Sequence, residues 1–141
     1  MSLLRLNVLR AFYAVMAFGL ATVVWPAIVA PPADMSLSGS VVHGLLGGVG
    51  VMALVGIRYP LRMLPLLLFE LIWKIIWVGA YVFPWWRSGH LPPGSLENLA
   101  QCVFGFVFIP LVLPWRYVIR QYVQAPGEPW RKAPVEQRYA A

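Results

Sequence analysis

The chain has 141 residues and a formal net charge of +6; 60% of it is hydrophobic, only 11% is charged, and its mean hydropathy is +0.72. A soluble domain carries roughly 45–50% apolar and about 25% charged residues, so there is too little polar surface here to coat a soluble globule. The positive balance does not point to nucleic acid, because no folded basic domain is present to carry it.

Polar residues cluster between long apolar runs instead of alternating with them, which is the pattern of a polytopic membrane protein. Four runs predict spans, at about 8–30, 40–57, 63–83 and 96–115. At 1.5 Å per residue each reaches roughly 27–35 Å, against a hydrocarbon thickness of about 30 Å. The expected fold is therefore all-α, an antiparallel bundle of four transmembrane helices over residues 1–120 followed by a polar cytoplasmic tail, 121–141.

Span one begins with Arg5 and Arg10. Its apolar run exceeds the roughly 7–15 residues of a signal-peptide core, and Ile28 is not the small residue a cleavage site needs, so it reads as a retained span. Trp25 suits the headgroup region near the outer end, and Pro26 is expected to bend that end. Pro31, Pro32 and Asp34 then form a short outer turn, after which Ser36 or Ser38 caps the next helix.

In span two, Ser40, Gly44 and Gly48 recur every four residues, with Met52 and Gly56 continuing the stripe. Small residues at that spacing let two helix backbones approach closely. Neither GxGxxG nor GxxxxGK[ST] is present, so a nucleotide loop is not indicated. The link from Arg58 to Arg62 is short enough to make spans two and three antiparallel neighbours.

Span three carries the strongest functional signal, Glu70 and Lys74, four residues apart near the middle of an apolar run. A charge at the centre of a span costs about 2.5–3.5 kcal/mol even on lenient insertion scales. Glutamate four residues N-terminal to lysine is the favourable helical order. Trp73 and Trp77 flank the lysine and offer cation–π contacts. The pair reads either as an internal ion pair that fixes the rotation of the helix, or as a protonatable site that exchanges protons or holds an ionic substrate. At the outer end, Pro84 is expected to end the helix within an aromatic belt.

Span four opens with Ser95, Glu97 and Asn98 and closes near Pro110, Pro114 and Trp115. Asn98 and Gln101 are candidates to meet His43 across the bundle and form a polar mouth above Lys74. The alternative is that they are interfacial amides. His43 and His90 also raise a haem or redox alternative, but imidazole ligation by two helices needs a second helical histidine, and His90 lies between glycine and proline. Single Cys102 excludes an internal disulfide and reads as a small buried hydrophobe. No metal site, no cofactor and no catalytic set is expected, so the chain does not read as an enzyme. In the tail, Trp130, Arg131 and Lys132 are placed at the membrane surface.

Nine basic residues (Arg5, Arg10, Arg58, Arg62, Arg116, Arg120, Arg131, Lys132 and Arg138) fall on one side of the predicted spans, against Arg87 alone on the other. That bias places both ends of the sequence in the cytoplasm.

The stretch 59–77, Tyr-Pro-Leu-Arg-Met-Leu-Pro-Leu-Leu-Leu-Phe-Glu-Leu-Ile-Trp-Lys-Ile-Ile-Trp, together with Pro114-Trp-Arg-Tyr-Val118 and Ala125-Pro-Gly127, resembles an uncharacterised family of small four-span bacterial inner-membrane proteins. The resemblance covers most of the chain and implies that location and span count, but no activity. Small multidrug exporters share the size but carry their key glutamate in span one without a lysine. The function expected is an accessory or scaffold subunit in the lipid bilayer, packing against itself as a homo-oligomer or against a larger membrane complex. The alternative is a small proton-linked transporter or channel built on Glu70 and Lys74.

Overall fold

A computed structural model describes residues 2–127, and among them the chain is helical throughout its ordered elements, with no strand. Four helices of 21, 22, 25 and 18 residues are long and apolar enough to cross a membrane. The first, α1 (Leu3–Val23), starts on Ser2, whose hydroxyl accepts from the Arg5 N–H at 3.4 Å. It begins five residues before the expected span and breaks at Val24, ahead of the short α2 (Trp25–Val29). Pro26 explains the break, since its ring crowds the carbonyl four residues back and it has no N–H to donate.

Ser36, one of the two expected caps, starts α3 (Leu37–Arg58), accepting from the Gly39 N–H at 3.0 Å. Next, α4 (Leu64–Trp77) carries Pro65 in its first turn, where a missing N–H costs little. Pro84 does not end this helix. The turn Val78–Val82 widens to a π-type turn and the chain continues into α5 (Phe83–Ser88), giving one apolar helix from Leu64 to Ser88. A wide turn re-spaces the carbonyls that a proline would otherwise strike, so the helix absorbs Pro84 instead of stopping. It stops at Gly89, whose φ of 73° only glycine adopts freely.

Gly94, at φ 81°, precedes α6 (Ser95–Val112). This helix runs through Pro110 and ends where Leu113 turns extended ahead of Pro114, as the residue before a proline prefers. The Trp115 indole donates to the Pro110 carbonyl at 2.8 Å, satisfying an acceptor at the frayed end. The chain then re-enters helix as α7 (Trp115–Val118) and a second wide turn, Ile119–Gln124. Residues 121–124 are therefore helical, where the sequence reading placed them in a polar tail. Trp130, Arg131, Lys132 and Arg138 lie outside the described residues.

The closest helix contact joins α3 to α1 and α2 through glycine. A Cβ added at Gly47 would fall 2.7 Å from Ile28, at Gly50 3.4 Å from Leu20, and at Gly56 2.5 Å from the Tyr13 ring. Residue numbers rise along the α1–α2 side of this seam, from Tyr13 to Leu20 to Ile28, as they fall along α3. The seam is Gly47, Gly50, Ala53 and Gly56, at a spacing of three, and all four are buried. Ser40, Gly44, Gly48 and Met52 lie on a different, exposed face, and a Cβ at Gly44 or Gly48 would meet nothing within 4 Å. Of the expected stripe, only Gly56 serves packing within the chain.

The core gathers Leu9, Tyr13 and Ala17 of α1, Ala53 of α3, Leu64, Leu67 and Leu71 of α4, Ile109 of α6, and Leu113 and Val118 beyond it. It lies toward the end of the bundle where the Tyr13 hydroxyl donates to the Pro60 carbonyl at 3.3 Å. Gly56→Ala should lower stability, because overpacking against a buried ring costs about 1–3 kcal/mol and outweighs a helix-propensity gain of at most about 1 kcal/mol. Gly44→Ala should be neutral or slightly stabilising. Unfolding by dodecyl sulfate in mixed micelles, followed by circular dichroism, measures both; equal effects would contradict the seam.

Candidate functional site

Helical spacing decides which face of α4 is buried. Leu64, Leu67 and Leu71 recur at three- and four-residue steps, and Glu70 and Lys74 fall on the same face, so all five are buried together. Glu70 is 6% exposed and Lys74 7%, the two buried charges among the described residues. The same run of residues that makes α4 apolar therefore carries both charges inward, away from the exposed Ile72, Ile75 and Ile76.

Lys74 Nζ forms an ion pair with Glu70 Oε2 and also donates toward the Glu70 carbonyl at 3.3 Å. It lies 4.1 Å from the centroid of the Trp73 ring, within cation–π range. Three favourable contacts thus converge on one ammonium, and all come from α4 itself. Trp77 is half-buried and makes no such contact, so only one of the two expected indoles attends the lysine.

Glu70 is less well served. Its second oxygen, Oε1, is buried and has no hydrogen-bond partner. An unsatisfied buried acceptor costs about 1–3 kcal/mol, more when charged. The pair as a whole is neutral, which avoids most of the penalty of two isolated charges in an apolar setting.

Space for the lysine comes from α6. Cys102, Gly105 and Ile109 are its buried residues along this stretch, one face at three- and four-residue steps. A Cβ at Gly105 would fall 2.8 Å from Lys74 Cε and 3.0 Å from Cδ, so the lysine stem lies directly on the glycine backbone. Sequence reasoning missed Gly105. The available signal was an isolated glycine inside a helical pattern, flanked by Phe104 and Phe106, where close approach of a neighbour is the usual reason. Cys102 is buried one turn away on the same face, as expected of a small hydrophobe.

The expected polar mouth is not assembled among the described residues. His43 Nδ1 is engaged with the Gly39 carbonyl of its own helix at 2.8 Å, while Asn98 and Gln101 are exposed and make no hydrogen bond to it. His90 sits in the loop between α5 and α6 with Nδ1 2.7 Å from the Ser88 carbonyl. No three His, Cys, Asp or Glu side chains gather into a metal-binding group among the described residues.

Gly105→Val should lift Lys74 off α6 and lower bundle stability by about 1–3 kcal/mol through overpacking. Removing the stem, by combining Gly105→Val with Lys74→Ala and Glu70→Leu, should recover much of the loss, because the Cδ and Cε atoms that the added side chain meets are gone. Unfolding in mixed micelles distinguishes this from a glycine with no steric partner, for which the single variant would be neutral.

Compared with known protein families, curated proteins and solved structures, the chain shows no match in any of the three.

Proposed function

We propose that the chain is a non-enzymatic accessory or scaffold protein of the bacterial inner membrane. In this reading it is an antiparallel bundle of four spans with both ends on the cytoplasmic side. The nine-to-one distribution of basic residues supports the orientation. The opposed residue order along the α1–α3 seam supports the antiparallel arrangement.

The observation that carries the scaffold reading is the closure of the Glu70–Lys74 pair upon itself. Every polar and ring contact of the ammonium is made within α4, and the stem is packed on Gly105 of α6. A conduction or substrate site needs its charges to face a path; these face a neighbouring helix. The pair then serves to set the rotation of α4 against α6. The exposed face of α3 bearing Ser40, Gly44 and Gly48 remains free to receive a helix of a second copy or of a larger complex.

A second reading rests on Glu70 Oε1, a buried acceptor without a donor. A carboxyl oxygen in that position accepts a proton or a water when one reaches it, as a proton-linked transporter or channel requires. Two measurements separate the readings. On the scaffold reading, cysteine cross-linking through Ser40→Cys in native membranes yields a defined product, and proteoliposomes show no proton flux above empty vesicles. Flux that is present in the native protein and abolished by Glu70→Gln, with folding retained, would establish the transporter instead.

A further inference from the structure

Three arginines converge at the basic end of the molecule. Arg5, from the first turn of α1, lines together with Arg116 and Arg120, from the helical segment after Pro114, an open cavity of about 730 Å³ whose remaining wall is Pro114, Tyr117 and Gln121. Small-ligand sites commonly measure about 300–1,000 Å³. The convergence is built by the backbone. Leu113 is extended ahead of Pro114, and this bend turns the chain so that α7 and the wide turn after it lie beside the start of α1.

The other basic residues at this end are occupied among the described residues. Arg10 donates to the Asn7 side chain at 3.0 Å, and Arg58 and Arg62 both stack on the Tyr59 ring, at 5.6 and 5.7 Å from its centroid. Arg5, Arg116 and Arg120 make no side-chain hydrogen bond, ion pair or ring contact among the described residues. Arg116 and Arg120 are also four residues apart on one helical segment, a like-charge arrangement that is unfavourable unless an anion lies between them. Guanidinium groups match phosphate oxygens with paired donors, and Arg is favoured over Lys where such recognition is needed.

We propose that Arg5, Arg116 and Arg120 form a binding site for a phosphate group. In the membrane reading, on which the source of the ligand rests, the site lies at headgroup level. Arg5 stands at the start of one span, Arg116 just past the end of another, and the exposed Trp115 is beside it. The phosphate is then that of an anionic phospholipid, with free phosphate from solution as the other source of the same chemistry.

The test uses the full chain in nanodiscs of phosphatidylcholine with a minor share of phosphatidylglycerol, released into a native mass spectrometer from 0.5 M salt. Co-elution of protein and nanodisc establishes insertion first, so a failure of the membrane reading appears at that earlier step. The native protein should retain phosphatidylglycerol above its share of the bilayer. R116Q/R120Q should lower that enrichment about tenfold, as the loss of two charge-assisted contacts requires, while R58Q/R62Q, which removes equal charge from the same end, should change it by no more than about twofold. Titration with inorganic phosphate identifies the source: retained lipid that phosphate does not displace supports a headgroup site, and phosphate binding that R116Q/R120Q abolishes supports a soluble anion. Equal losses in the two double variants, or no preference for either phosphate, would overturn the proposal.

Discussion

A carboxylate and an ammonium placed four residues apart in an apolar helix restrict everything around them. In a helix that spans a membrane neither is tolerated facing hydrocarbon, so such a helix must rotate until both face inward, and the neighbouring helix must then make room for a long lysine side chain. In this chain the rotation is visible in the joint burial of Leu67, Glu70, Leu71 and Lys74, and the room is supplied by Gly105. The remaining packing of α4 follows, because once Lys74 is set on α6, the three leucines below it fall into the core with Tyr13, Ala53 and Ile109.

The pair lies at the edge of that core. On the basic side of it, side chains from α1, α3, α4 and α6 interlock, whereas on the other side most of the large apolar residues of α6 and α5, such as Leu96 and Phe83, are exposed. The contact of α3 with α1 and α2 extends further, because the glycines at 47, 50 and 56 leave room for Ile28, Leu20 and Tyr13 to lie directly on the α3 backbone. Both helix contacts therefore use glycine to seat a large side chain: apolar ones along the seam, and the lysine of the charge pair between α4 and α6.

Much of this was legible in the sequence, for definite reasons. Glu70 and Lys74 stand out because charges are rare in apolar runs, and their spacing alone dictates that they share a face. The four helices follow from run length, although proline blurred their ends. Pro26 interrupts the first helix where a bend was expected, whereas Pro84 failed to stop a helix that was expected to end, because a widened turn accommodates a proline in ways that residue type does not announce. The seam was harder. Span two offers small residues at 40, 44, 47, 48, 50, 53 and 56, enough for more than one narrow face, and a repeat of four selected the outward one. Gly105 carried no address at all, since its role depends on which residue of another helix arrives opposite it. The arginine cavity was hidden for the same reason: Arg5 is far in sequence from Arg116 and Arg120, and only the bend at Pro114 brings them together.

The central claim is that the charge pair is a single structural unit holding α4 in place. A thermodynamic double-mutant cycle on Glu70→Leu and Lys74→Met, with unfolding measured in bilayer-like mixed micelles, tests it most directly. Each single change leaves one buried charge without its partner and should cost about 3–5 kcal/mol, while the double change, which removes both charges together, should cost far less than the sum. Additive losses, or single variants as stable as the native chain, would contradict the account.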